Sequence, residues 1–418
     1  MKEVLCVILG GGRGSRLFPL TEERCKPAAP LFGKYRLIDV PISNCLNSGF
    51  TRIYVLTQFL SESLNKHINR TYKMASFTKG FIEIMAAEQS MDDTDWFQGT
   101  ADAVRRCFKH FNDPNIEHIL ILSGDQLYKM DLGEMYRSHL EKKAELTIAC
   151  NPVSPENVSG FGIIGINGDK KITKFVEKPE NAAEIKDMAV DCGKTKAGFL
   201  ASMGIYLFNK STLMELLVEG GKVDFGGEII PEAIHRKSAH AFIFNGYWRD
   251  IGTIKAFYKE NLSLTDPIPP LDMFDEDWLI FTRTRYLPPA KFENSRVERS
   301  IIAEGAIVLS AEIIHSVIGL RFRVGAGSVV EDTIAMGSDY YETVDEIEKN
   351  FSKGIPPLGI GAHCTIRKAI LDKNVRIGDN VSITNKEDLD RFDGPGYFIR
   401  EGIVVLKKNS VIPAGTII

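Results

Sequence analysis

Residues 10–27 read Gly-Gly-Gly-Arg-Gly-Ser-Arg-Leu-Phe-Pro-Leu-Thr-Glu-Glu-Arg-Cys-Lys-Pro and hold the densest chemistry in the chain. Gly10, Gly11, Gly12 and Gly14 allow a backbone to lie against a ligand without side-chain clashes, so that its amides can face anions. Arg16 and Lys26 add fixed positive charge to the same segment. Bare amides beside two cations suit a triphosphate, whose oxygens must be held while charge moves between them. Spacing excludes two commoner glycine motifs. A P-loop continues with Lys and then Ser or Thr, whereas Gly14 is followed by Ser15-Arg16. The dinucleotide fingerprint needs a third glycine three residues after the second, and Ser15 or Leu17 stands there instead.

Such a loop must be carried by regular elements. Val4-Leu5-Cys6-Val7-Ile8-Leu9 is an unbroken apolar run and predicts a strand buried on both faces. Ile53–Leu56 and Ile119–Leu122 predict two more strands, the second ending at Ser123-Gly124-Asp125. Leu60, Leu64, Ile68 and Tyr72 predict an amphipathic helix. Ala101, Val104, Phe108 and Phe111 predict another, just after Gln98-Gly99-Thr100. Ile163–Ile166 and Ile172–Val176 flank Asn167-Gly168-Asp169 as a hairpin. This alternation predicts an α/β domain over residues 1–262. It would be a Rossmann-like, mainly parallel sheet with ligands at the C-terminal ends of its strands, where Gly10–Gly14 and Asp125 fall. Prolines at 267, 269, 270, 288 and 289 mark 263–291 as a linker.

From 292 to 418 apolar residues recur with a six-residue periodicity: Ile302, Val308, Ile314, Ile318, Val324, Val330, Met336, Ile360, Ile366, Leu371, Ile377, Ile383, Ile412 and Ile418. That pattern predicts a left-handed parallel β-helix. Residues 338–357, with Tyr340-Tyr341-Glu342 and an acidic run, read as an excursion from the coil.

Composition narrows the class. A chain of 418 residues is too long for one ordinary core, so two domains are expected. A net charge of −4 gives no support for a nucleic-acid-binding surface. Seven scattered cysteines (Cys6, Cys25, Cys45, Cys107, Cys150, Cys192, Cys364) with no C-x-x-C pair suggest reduced thiols, not a disulfide framework or a zinc site. No apolar run approaches the ~20 residues of a membrane span, so a soluble, cytoplasmic protein with no membrane partner is expected.

The string Gly-Gly-Gly-x-Gly-x-Arg-Leu-x-Pro-Leu-Thr…Lys-Pro resembles the signature of sugar-1-phosphate nucleotidylyltransferases. Six further segments are similar to glucose-1-phosphate adenylyltransferase, also called ADP-glucose pyrophosphorylase, nearest to its cyanobacterial and plant form. They are Gly-Lys-Tyr-Arg-Leu-Ile-Asp (33–39), Tyr-Val-Leu-Thr-Gln-Phe (54–59), Trp-Phe-Gln-Gly-Thr-Ala-Asp-Ala (96–103), Phe-Val-Glu-Lys-Pro (175–179), Ala-Ser-Met-Gly-Ile-Tyr (201–206) and Arg-Tyr-Leu-Pro-Pro-Ala-Lys (285–291). The resemblance runs nearly end to end. It implies attack by a glucose 1-phosphate oxygen on the α-phosphorus of ATP, expelling pyrophosphate, with Mg²⁺ holding the phosphates. No protein nucleophile is required, only alignment and charge neutralisation.

Carried over by motif, the resemblance assigns ATP phosphates to Gly10, Gly11, Gly12 and Gly14, catalytic charge stabilisation to Arg16 and Lys26, and adenine contacts to Gln98 and Gly99. Asp125 and Asp250 would ligate Mg²⁺, and Asp125 counts as catalytic on that ground. Glu177 would take sugar hydroxyls and Lys178 the sugar phosphate, with Gly162 and Ser202 lining that pocket. Read alone, Asp125 and Asp250 could each be a helix cap or a turn residue, and Glu177-Lys178-Pro179 a solvated strand end. The resemblance also implies an activator site formed by Arg24, Arg36, Arg52, His67, Arg283, Arg285, Lys373 and Lys408. Read alone, these are unrelated surface charges. A phosphorylated metabolite, with 3-phosphoglycerate favoured, would activate there, inorganic phosphate would inhibit, and the assembly would be a homotetramer. Three positions depart from the family pattern: Ser15 stands for Thr, Gln126 for His, and Arg249 for an acid next to Asp250. The alternatives are a nucleotidylyltransferase using another triphosphate, a non-catalytic regulatory subunit of the same enzyme, and an acyltransferase, whose chemistry left-handed β-helices also carry.

Overall fold

The structure is a computed structural model and describes residues 2–12, 14–75, 79–87, 96–111, 113–190, 198–218 and 221–418. Its first half is built on a nine-stranded sheet. The strands, in chain order, are β1 (Val4–Leu9), β2 (Arg52–Thr57), β3 (Phe81–Ala86), β4 (His118–Ser123), β6 (Leu146–Val153), β7 (Gly162–Ile166), β8 (Ile172–Glu177), β9 (Phe199–Asn209) and β10 (Ala239–Ile243). A separate ladder pairs β5 (Gln126–Tyr128) with β11 (Trp248–Asp250), antiparallel. The order across the main sheet is β8-β7-β9-β4-β1-β2-β3, with β6 on β9 and β10 on β6. Only β8 and β9 run against the other strands.

The apolar run of β1 explains its central place. Cys6 and Ile8 pack into the core on one face of the sheet, and Leu5 and Val7 into the core on the other, because successive strand side chains point oppositely. Helices cover both faces. α1 (Asp39–Asn47), α2 (Glu62–Thr71) and α4 (Leu132–Glu141) bury Ile42, Leu64 and Met135 on the first face. α3 (Thr100–Cys107), α5 (Lys210–Val218) and α6 (Ile230–Arg236) bury Val104, Leu213 and Ala233 on the second.

After α7 (Ile254–Ser263), residues 264–290 contain no helix or strand, yet they are fastened along α1. Trp278 Nε1 donates to Asn44 Oδ1 (2.9 Å), the Phe281 amide to Ser43 Oγ (2.8 Å) and Thr282 Oγ1 to Asp39 Oδ2 (2.7 Å). The second half is a parallel β-helix. On one face Phe292 stacks on Val308, then Val324, Ile360, Ile377 and Ile412.

Two residues of the apolar pattern are corrected. Ile313, not Ile314, points inward, stacked on Val330, and Ala335, not Met336, continues the stack from Ile318. The inward residues Val308, Ile313, Ile318 and Val324 are spaced five, five and six apart, so a strict six-residue step overshoots. Met336 is buried, but against the first domain's core, together with Ile334, Ile370, Ile403 and Val405. One apolar core therefore spans the junction. The 338–357 excursion carries a short helix, Val344–Phe351, started by a Thr343–Glu346 capping box. A second excursion, unforeseen from the sequence, is the hairpin of Arg391–Asp393 with Tyr397–Arg400. Six cysteines are free and buried, and Cys192 lies outside the described residues.

Candidate functional site

β1 delivers Gly10–Gly14 to the C-terminal edge of the sheet. The Gly10 amide donates to Leu56 O of β2 (2.8 Å), and a Cβ on Gly10 would stand 3.0 Å from that oxygen. Gly14 has a φ of +62°, which favours glycine, and its carbonyl accepts from Thr21 Oγ1 (3.0 Å). A single helical turn, Ser15–Leu17, follows, with Leu17 buried beneath it and Arg16 exposed above.

Lys26 starts the next short turn and is buried. Its ammonium lies 2.8 Å from Asp125 Oδ2 and 3.2 Å from Asp250 Oδ1. Asp125 leaves the end of β4. Asp250 ends β11 opposite Gln126, so the β5–β11 ladder brings together two acids 125 positions apart in sequence. Burial alone would raise the Asp125 carboxyl, but Lys26 and the Ser123 hydroxyl outweigh it and hold its pKa below the usual carboxylate value. The acid is therefore ionised at neutral pH.

Two cavities meet at Leu9, Gly12 and Asp125. The larger, about 890 Å³, is lined by Gly11, Gln58, Trp96–Thr100 and Ala103, a size and mixed lining suited to a base and ribose. The smaller, about 200 Å³, is lined by Gly14, Ser15, Arg16, Lys26 and Gly252. Gln98 is anchored by its amide to Asp102 Oδ2 (2.8 Å), and its side chain donates to Trp96 O (2.8 Å). A Cβ on Gly99 would fall 2.2 Å from Val223 O, so close packing of the loop on residue 223 demands glycine there whatever the ligand.

The sequence-assigned sugar residues gather where β7, β8 and β9 adjoin. Gly162 pairs with Glu177, and a Cβ on it would lie 2.7 Å from Glu177 Oε2. Ser202 is buried on β9, and its hydroxyl accepts from the Gly204 amide (3.3 Å). Gly204 in turn abuts Gln126 and Ser123, beside Asp125. Lys178 is largely exposed, its ammonium 3.3 Å from Glu177 Oε1. Asp224 was missed from the sequence. It caps the turn at Phe225–Ile229 through the Gly227 amide and accepts from Thr100 Oγ1 (2.9 Å), tying the lining of the larger cavity to the turn whose Gly226 lies beside Glu177. The signal was Asp224-Phe225-Gly226-Gly227, an acid beside paired glycines.

Two of the departures are accounted for. Arg249 faces away from Asp250, because neighbouring strand residues point oppositely. Its guanidinium lies over the Tyr247 ring (5.1 Å) and 3.8 Å from Glu260. Gln126 Oε1 accepts from Trp248 Nε1 (3.1 Å), so it serves the ladder that positions Asp250.

A third cavity, about 280 Å³, lies at the domain junction. It is lined by Arg24, Arg36, Arg283, Arg285, Lys373, Lys408, Lys66 and Arg70, with His67 and Ser63, against only two acids, Glu62 and Asp339. Arg52 is not among them. It opens β2 at the opposite end of that strand from Gln58 and pairs with Asp113 (3.0 Å), so the expected cluster is corrected there. Burial, with Arg24 next and Arg285 also contributing, lowers the Arg36 pKa to about 10. Burial also lowers Lys373 to about 8, its contact with Asp339 resisting and Arg36 and Arg285 adding to the fall. Asp339 is driven to about 2 by Lys373 and Asn374 despite its burial. Crowded, partly dehydrated cations of this kind favour an entering anion.

Asp125 and Asp250 direct one oxygen each at a single cationic point and remain about 29% and 28% exposed. Two such carboxylates suit Mg²⁺, which takes its other ligands from water and phosphate oxygens. Among the described residues no cluster of three or more His, Cys, Asp or Glu could hold a metal unaided, so substrate oxygens would complete the shell. Residues 5–267 match the family model described as nucleotidyl transferase. The chain belongs to that family. Residues 285–417 match the model described as the GLGC left-handed parallel beta-helix domain. The two together are the architecture of ADP-glucose pyrophosphorylase-type enzymes. The nucleotidyl transferase family implies nucleotide and sugar phosphate substrates. Among the described residues no helix is long and apolar enough to cross a membrane.

Proposed function

We propose that this nucleotidyl transferase moves the adenylyl group of ATP to glucose 1-phosphate, giving ADP-glucose, the glucosyl donor for glycogen and starch, and pyrophosphate. The observation that carries the reading is the Lys26 ammonium held between Asp125 and Asp250, where a base-sized cavity meets a small cationic one. Adenine would enter beside Gln98 and Gly99, and the triphosphate would run along Gly11–Gly14 towards Arg16. Lys178 would hold the phosphate of glucose 1-phosphate and Glu177 its hydroxyls, aiming a phosphate oxygen at the α-phosphorus. Lys26 would follow the negative charge as pyrophosphate leaves. Mg²⁺, on Asp125 and Asp250, would neutralise phosphate charge. Retention of Arg16, Lys26 and both acids speaks for an active enzyme and against a regulatory subunit.

At the junction, Arg24, Arg36, His67, Arg283, Arg285, Lys373 and Lys408 would bind a phosphorylated carboxylate, 3-phosphoglycerate in particular, with inorganic phosphate competing. The protein would act in the cytoplasm as a homotetramer. Pyrophosphate release from glucose 1-phosphate with each of ATP, UTP, GTP and dTTP, with and without Mg²⁺, tests the central reading. Faster turnover of UTP or dTTP than of ATP overturns it.

A further inference from the structure

The excursion hairpin of the second domain adds little to the coil beyond Ile399, which enters its core, and the pairing of its second strand with Ile403–Leu406. It leaves after Ile383, returns at Ile403, and its first strand is exposed. It nevertheless aims an aromatic ring and a cation at the catalytic domain. The Phe398 ring stands 5.1 Å from the Phe18 ring, edge to face at 77°. The Arg400 guanidinium lies 5.2 Å from the Phe398 centroid and 5.7 Å from that of Phe18. Arg400 is itself fixed, because Nη1 donates to Ile399 O (2.8 Å) and Phe392 O (3.1 Å) and pairs with Asp393 (2.5 Å).

Phe18 closes the turn that presents Arg16. Its amide donates to Ser15 O (3.2 Å), while Leu17 anchors the turn from below and Thr21 anchors Gly14. The Arg16 guanidinium reaches towards Gly252, within 3.3 Å of where a Cβ there would stand, and makes no hydrogen bond or ion pair among the described residues. Its placement therefore depends on the turn. A ring held between a second ring and a cation is fixed in both position and tilt.

We propose that Phe398 and Arg400 are positioning residues for nucleotidyl transfer, reaching across the domain boundary to fix Phe18 and, through it, Arg16 at the triphosphate. This rests on the reading of Gly10–Arg16 as the triphosphate site. Because the contact is on the nucleotide side, its loss should be felt by ATP and not by glucose 1-phosphate.

The test uses the full chain as wild type, Phe398→Ala, Phe398→Tyr, Arg400→Met and Phe18→Leu, with KM for each substrate, kcat, calorimetric ATP affinity and Tm. Loss of one ring or cation contact should raise the KM for ATP and weaken ATP binding by about 3–10-fold, with the KM for glucose 1-phosphate within about 2-fold. Phe398→Tyr keeps the ring and should restore wild-type values. Phe18→Leu, on the catalytic side, gives the same readout should a hairpin variant fail to fold. Unchanged ATP parameters in Phe398→Ala, Arg400→Met and Phe18→Leu overturn the proposal. So does an equal rise in both KM values that tracks a fall in Tm, the mark of a merely structural contact. If the wild type prefers another triphosphate, the reading of the base pocket fails, and the same split, measured with that nucleotide, still decides the role of Phe398 and Arg400.

Discussion

The cleft around Lys26 and the junction pocket both collect charge from distant parts of the chain, but they arrange it oppositely. In the cleft, one buried ammonium is held between two carboxylates that both face it. At the junction, eight Arg or Lys side chains line a cavity with two acids, and burial and repulsion pull Arg36 and Lys373 below their usual pKa values. The first arrangement is preorganised, which suits stabilising charge that develops during a reaction. The second is strained electrostatically and relaxes when an anion enters, which suits a site whose occupancy changes the protein's state. Its position strengthens that contrast. Arg24 joins the domains through a bidentate, buried pair with Asp372 (2.8 and 2.9 Å) and lies two residues before Lys26 of the cleft.

The largest effect should come from removing a carboxylate from the cleft. Asp125→Asn removes charge where the metal and phosphates would meet, and should lower kcat by at least ~10²-fold with little change in Tm. A variant with wild-type kcat would show that the Asp125 charge is not what drives transfer. Lys178→Ala, outside the Lys26–Asp125–Asp250 trio, should act on binding instead, raising the KM for glucose 1-phosphate about 10-fold with kcat nearly kept. A changed kcat with a constant KM would give Lys178 a part in the transfer step.

The junction should respond in the other sense. Lys373→Ala/Lys408→Ala should keep basal turnover within about 2-fold and lose activation by 3-phosphoglycerate, since the pocket loses two phosphate partners. Equal activation of wild type and variant would show that the cationic strain serves no ligand. The pH dependence sharpens the point. Lys373, at about 8, is charged below that pH and neutral above it, so activator affinity should fall as pH rises from 7 to 9. Lys373→Arg, which keeps its charge, should flatten that fall. A profile identical in both proteins would assign the titration elsewhere. The smallest effect belongs to Arg52→Ala. Its guanidinium is paired with Asp113 away from the pocket, so activation and turnover should match wild type in the same assay.

The sequence itself determined the strand–loop–helix frame of the first domain, because unbroken apolar runs and 3.6-residue periodicity are local signals. β1 with its two-faced burial, and α2 with Leu64 and Ile68 inward, follow from such patterns. Glycine spacing likewise marked Gly10–Gly14 as the loop proposed to hold phosphates. The tertiary structure decided what local signals cannot carry. It chose Ile313 over Ile314, because the three faces of a coil share positions unequally. It excluded Arg52 and added Lys66 and Arg70 to the junction pocket, because one charge resembles another until its distance from its neighbours is fixed. It turned Arg249 away from Asp250 and set the hairpin's Phe398 against Phe18, contacts that depend on strand direction and domain packing. Electrostatic roles are pairwise and fall with distance, so the chain names the charged groups and only the fold determines which of them interact.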